Sequence, residues 1–174
     1  MDYKKYTQYK TLNLRDRVWP DNSIKLAPFW CSVDLRDGNQ SLIEPMDSIR
    51  KMRMFKALVK MGFKEIEVGF PSASETDFNF LRELIDDNHI PDDVSIQVLT
   101  QCREELIDKT IQSLKGVSKA ILHLYNSTST LQRKVVFNTD KDGVKKIALD
   151  GAKMVVDKIT KLNNSSKIQL QYSP

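Results

Sequence analysis

Segments with a period of two alternate along this chain with segments of period near 3.6, and that alternation limits the folds open to it. Ile66, Val68 and Phe70 alternate with Glu65, Glu67 and Gly69, which reads as a strand ending at Gly69-Phe70-Pro71. Residues 94–100 (V-S-I-Q-V-L-T), 119–125 (K-A-I-L-H-L-Y) and 167–172 (K-I-Q-L-Q-Y) read as further strands. Between the strands lie helical patterns. Ile49, Met52, Phe55 and Val59 recur at helical spacing, with Pro45 in a first-turn position and Gly62 as the stop. Ser74 and Asp77 form a capping pair for a helix carrying Phe78, Leu81, Leu84 and Ile85. Leu106, Ile107, Ile111 and Leu114 mark the next helix, stopped by Gly116. Val144, Ile147, Ala148, Gly151, Val155, Ile159 and Leu162 share one face of the last. Residues 126–143 read as a polar loop. Pro91-Asp92-Asp93 and Asn163-Asn164-Ser165-Ser166 read as turns.

Regular alternation of this kind implies parallel strands joined by helical crossovers. A self-contained doubly wound sheet and the first part of a (β/α)8 barrel both fit it. A whole barrel takes about 250 residues. This chain has 174 and stops on a strand that nothing follows to cover. The expectation is therefore an α/β chain forming an incomplete (β/α)8 TIM barrel over residues 29–174, with five strands and four helices. Residues 1–28 are polar and aromatic and read as an arm, with Trp19-Pro20-Asp21-Asn22 as a turn signal.

The opening strand carries the densest chemistry. Residues 30–40, W-C-S-V-D-L-R-D-G-N-Q, start apolar and end in Asp34, Arg36, Asp37, Asn39 and Gln40, interrupted by Gly38. Charged groups after a buried strand sit at its C-terminal end, where α/β folds bind ligands. A carboxylate beside an Arg suits a metal together with an anionic or carbonyl oxygen. It equally suits an ion pair that closes a loop. The other strand ends contribute Glu67 and the loop Gly69 to Ser74, then Leu99, Thr100 and Gln101, then His123, Tyr125 and Asn126, then Tyr172 and Ser173. In a barrel all of these converge on one rim. His123 also reads as a core histidine bonded to a neighbour, and Glu67 as the partner of an internal cation. The only other histidine is His89. H-x-H, H-E-x-x-H and C-x-x-C are absent, and Gly38 and Gly69 are isolated, so there is no phosphate loop. No complete catalytic set assembles from these residues.

Composition removes other classes. The 27 Lys and Arg are interspersed with 23 Asp and Glu, a formal net charge of +4, with no basic stripe for nucleic acid. The two cysteines, Cys31 and Cys102, lie in or beside apolar segments and do not suggest a disulfide framework. No run approaches about 18 apolar residues and the N-terminus has no apolar signal region, so the expectation is a soluble, cytoplasmic protein with no membrane partner.

The strings S-V-D-L-R-D-G-N-Q, G-F-K-E-I-E-V-G-F-P-S-A-S-E-T-D-F, V-S-I-Q-V-L-T-Q-C-R and H-L-Y-N-S-T-S resemble, in order and spacing, the α-isopropylmalate synthases. These belong to a wider family of barrel metal-dependent lyases and Claisen-condensing acyltransferases. The resemblance covers roughly residues 17–174, and W-P-D near residue 20 and A-P-F-W before the strand fit the longer form of the enzyme. It implies condensation of acetyl-CoA with 2-oxoisovalerate to give 2-isopropylmalate and CoA, the first committed step towards leucine. By resemblance Asp37 is a ligand of a divalent metal (Mg, Mn or Zn), and Arg36 polarises the ketone and stabilises the alkoxide. Gln40 and Glu67 join Arg36 as site-forming or supporting residues of the catalytic set. His123, Tyr125 and Ser173 line the oxo-acid pocket, and Leu99 sets room for the branched side chain.

The departures from the family pattern matter as much. The family takes two further metal ligands from an H-x-H on a later strand and follows Y-S-P with Glu; neither lies within these residues. One ligand of three implies weak metal affinity. The expectation is an N-terminal portion that is inactive alone and self-associates through its open edges, as a homo-oligomer such as a dimer. Alternatives are a sister synthase, for homocitrate or citramalate, and a non-catalytic half-barrel interaction module.

Overall fold

The computed structural model describes residues 5, 7, 10, 12, 14–16, 26–162 and 167–174. The turn expected over residues 163–166, and that at Trp19-Pro20-Asp21-Asn22 within the expected arm, lie outside them. Five parallel strands form one sheet: β1 (Cys31–Ser32), β2 (Glu65–Gly69), β3 (Ser95–Gln101), β4 (Lys119–Tyr125) and β5 (Lys167–Ser173). Their order in the sheet is their order in the chain. A doubly wound sheet needs a point where that order reverses. With none, and with right-handed crossovers, every helix falls on one face and the sheet is an arc of a barrel. Among the described residues the arc is open, with β1 at one edge and β5 at the other.

Period-two alternation sorts the strand residues onto two faces. Ile66, Val68, Ile96, Val98, Ala120, Leu122 and Leu124 pack under the helices with Phe55, Leu58, Phe80, Leu81, Leu84, Ile107 and Leu114. These come from α1 (Ser48–Met61), α2 (Glu75–Asp86) and α3 (Glu104–Ser113) with its C-terminal cap Leu114, and α5 (Lys141–Lys161) adds Val155. The opposite face of the sheet carries Glu67, Gln97, Leu99 and His123, and becomes the site described below. Among the described residues no helix is long and apolar enough to cross a membrane.

Several local expectations need correction. Trp30 is 71% exposed and β1 is only two residues long. The chain leaves it through a wide turn, Asp34–Gly38, in which the N–H groups of Arg36, Asp37 and Gly38 all meet the Val33 carbonyl. Pro45 lies before α1, whose cap is Asp47, accepting from the Arg50 N–H at 2.8 Å. Ile49 is exposed and Leu58 takes a place in the core, so the apolar face is rotated from the expected one. Gly62 does end α1, with φ 99°, where a side chain would be strained. The loop expected over residues 126–143 contains a further short helix, α4 (Thr130–Val135), capped by Ser129, which makes five α-helices among the described residues in place of the four expected. It buries no side chain, and Leu131 and Val135 face outward, so no apolar periodicity announced it.

Gly151 lies where α5 crosses Cys102, and a Cβ built there meets the Cys102 Sγ at 2.9 Å. Gly→Ala in a helix ordinarily gains about 1 kcal/mol. Here the overpacking costs about 1–3 kcal/mol, so Gly151→Ala lowers the urea midpoint, and adding Cys102→Ala restores most of it.

Candidate active site

Glu67 stands on the inner face of β2 with its side chain fully shielded from water. Three neighbouring segments answer its charge. The Arg36 Nε–H, from the turn after β1, donates to Oε2 at 2.6 Å. From β3, the Gln97 amide donates to Oε1 at 3.2 Å, and from β4 the His123 Nδ1 lies 3.0 Å from the same oxygen. Burial alone would push this carboxyl up. The hydrogen bonds from His123, Arg36 and Gln97 outweigh burial and hold it below the usual carboxylate range. On its far side His123 places Nε2 2.6 Å from the Ser173 Oγ of β5. Arg36 also donates through Nη1 to the Asp37 carboxylate at 2.8 Å, and that carboxylate is 65% exposed.

Above this network lies a cavity of about 310 Å³ bounded by Arg36, Gln40, Leu99, His123, Tyr125 and Ser173, together with Phe70 and Pro174. All eight residues singled out from the sequence thus meet in one place. Six line the cavity, Glu67 is bonded beneath it to Arg36 and His123, and Asp37 joins it through Arg36. Thr100, Asn126 and Tyr172 do not line it. Thr100 is buried with no partner for its hydroxyl, and Asn126 accepts from the Tyr172 hydroxyl at 2.8 Å. A larger cavity of about 440 Å³, between Pro28 and Lys64, is lined mainly by Phe29, Trp30, Met61 and Phe63. It brings no set of polar groups together.

One contributor, Gln97, was not singled out, and two that lay among the strand ends, Phe70 and Gln101, take roles that alternation did not give. Phe70 belongs by simple alternation with Ile66 and Val68 under the helices. The pairing of β2 with β3 shifts between Glu67 and Gly69, so that Gly69 faces Val98. A shift of one residue turns the following side chain to the other face. Phe70 therefore reaches the cavity, edge-on to Tyr125 at 6.4 Å and 73°. Gln101 donates to the Tyr125 hydroxyl at 2.7 Å and fixes that ring. Gln97 was legible as a polar residue in an otherwise apolar strand. Cys31 abuts it, its Sγ 3.9 Å from the Gln97 Oε1, and burial together with the Glu67 charge pushes the thiol up to about 11.

The implied metal can be tested on these residues. Among the described residues no three His, Cys, Asp or Glu side chains are placed to hold an ion. Asp37 offers an exposed carboxylate with one oxygen already on Arg36, and Asp34 accepts from the Ser32 hydroxyl at 2.6 Å. The described residues therefore offer isolated carboxylates and no complete set of metal ligands.

The HMGL-like family model matches residues 27–173. A protein of Rhodospirillum rubrum named 2-isopropylmalate synthase is 58% identical over 171 residues, covering 98% of this chain and 31% of the relative. Synthases of that name from Pseudarthrobacter chlorophenolicus and Agrobacterium fabrum are 58% and 57% identical, over 100% and 98% of this chain and 30% of each relative. The chain thus spans about a third of the length of the relatives it matches.

The lowered Glu67 carboxyl gives a pH signature. Its ionised form adds stability that is present above its unfolded value of 4.5 and is lost as pH falls through the lower folded value. Urea unfolding from pH 7 to 3 should show wild type losing stability below about 4.5. Glu67→Gln should be weaker by about 3–5 kcal/mol at neutral pH and flatter along the acid limb, so that the two curves converge.

Proposed function

The chain belongs to the HMGL-like family, and on that premise we propose that it carries the oxo-acid half of the active site of a 2-isopropylmalate synthase. The reaction adds the methyl carbon of acetyl-CoA to the ketone of 2-oxoisovalerate, and water then releases CoA. The observation that carries this reading is the position of Arg36, fixed between Glu67 and Asp37 on the wall of the cavity that His123 and Ser173 also line. A guanidinium has five N–H donors. Glu67 takes one and Asp37 another, which leaves donors for a ketone oxygen as it becomes an alkoxide. Such charge, already in place before the reaction, contributes most where negative charge develops.

His123 and Ser173 bind the carboxylate end of the oxo acid, and Leu99 and Phe70 face its isopropyl group. Glu67 and Gln97 orient His123, while Gln40 and Tyr125 complete the polar wall. Acetyl-CoA is the co-substrate, and a cytoplasmic location goes with the reading. A divalent metal in such an enzyme supplies Lewis-acid polarisation of the oxo acid. Of these residues Asp37 would hold it, through the carboxylate oxygen that Arg36 leaves free.

Calorimetry on purified 1–174 should detect 2-oxoisovalerate binding, and His123→Ala should weaken it about tenfold, as loss of one hydrogen bond to a charged group does. The same polypeptide should release no CoA from acetyl-CoA in the presence of the oxo acid. Absence of binding overturns the oxo-acid reading, and sustained turnover overturns the inactivity of this portion.

The free edges support a second part of the reading. Among the described residues nothing pairs with the outer side of β5, and Phe29 and Trp30, beside β1, are 83% and 71% exposed. Such edges seek partners, so 1–174 should run as a dimer or larger species in light scattering at micromolar concentration. A monomer there removes the self-association.

A further inference from the structure

Lys51 is a lysine with no exposed surface, in the first turn of α1. Its ammonium has three N–H donors and no acceptor, and it meets three oxygens on three different segments. One is the Leu35 carbonyl at 3.2 Å, in the turn that carries Arg36. Another is the Val68 carbonyl at 3.2 Å, in β2 beside Glu67. The third is the Asp77 carboxylate of α2, and the Phe80 ring lies 5.5 Å below the charge. Asp77 in turn accepts the Phe70 N–H at 2.8 Å through its other oxygen. The Ser74–Asp77 cap is therefore only half of a reciprocal one. The Ser74 hydroxyl accepts from the Asp77 N–H at 3.3 Å, while the carboxylate turns away to Lys51 and Phe70.

A buried ion pair is a poor source of stability, since apolar groups of the same volume often serve equally well or better. What this one does is hold positions. Its three backbone contacts flank three side chains of the site: Leu35 precedes Arg36, Val68 follows Glu67, and the third is the N–H of Phe70 itself. We propose that Lys51 and Asp77 are positioning residues for the oxo-acid pocket, setting the turn after β1 against β2 so that Arg36 meets Glu67 and Phe70 faces the cavity. The inference rests on the proposed oxo-acid site for its consequence in binding, but its geometric content stands apart from it.

The test uses Lys51→Met/Asp77→Asn in 1–174, which removes both charges together, with Asp77→Asn alone as the milder variant. The Arg36 Nε–H signal in a 15N NMR spectrum, assigned by its loss in Arg36→Lys, reports the bond to Glu67 directly. The expected result is a double variant with a urea midpoint no lower than wild type, an Arg36 Nε–H whose solvent exchange is at least tenfold faster, and 2-oxoisovalerate affinity reduced about tenfold. A folded variant with an unchanged Arg36 signal overturns the proposal. If the double variant does not fold, the same signal in Asp77→Asn decides, with unchanged exchange again the overturning result. Should wild type bind no oxo acid while the variant's Arg36 signal still accelerates, the functional reading falls and the positioning role stands.

Discussion

A carboxylate with no contact with water sits on the inner face of the sheet, and most of the site is a response to it. Leaving Glu67 unpaired would cost several kcal/mol, so whatever lies beside it must donate. A guanidinium, an amide and an imidazole reach it from the turn after β1, from β3 and from β4. Once those groups are held by one carboxylate, their other ends have little freedom. The remaining N–H groups of Arg36 and the second nitrogen of His123 are presented to the cavity, and Ser173 completes the line from β5. A polar cluster that would be a liability in an apolar core becomes an ordered wall on the open side of the arc.

The sheet order explains why residues so far apart in sequence meet. Each βα crossing returns the chain to the same end of the sheet, and without a reversal the successive strand ends lie side by side on one rim. The helices shield the other face with an apolar layer that needs no chemistry of its own. Stability and recognition are thereby assigned to opposite sides of the same strands, which is why a period of two carries information about both.

How much of this was legible follows from the range of the forces involved. The strands and the four long helices are local patterns, and β4 matched its expected bounds residue for residue because an apolar run between Gly116 and a polar stretch has few alternatives. The eight site residues were legible partly as strand ends and partly through likeness to a known motif. What escaped depended on contacts between segments. Phe70 faces the cavity because of a shift in strand pairing that no single segment encodes. Lys51 resembles any other helical lysine until α2 supplies its partner. The rotated face of α1 and the short helix α4 escaped because exposed apolar residues, Ile49 in one and Leu131 in the other, misled or hid the periodicity.

Gly69 marks how far such dependence extends. A Cβ at that position would stand 2.7 Å from the Asp77 carboxylate, a separation that carbon and oxygen do not tolerate. The residue is constrained by a neighbour on the next helix rather than by its own strand. A side chain at position 69 would have to displace the Asp77 carboxylate, and with it the oxygens that Lys51 and the Phe70 N–H share between them, so the room left by one missing carbon on β2 is what lets the buried pair close.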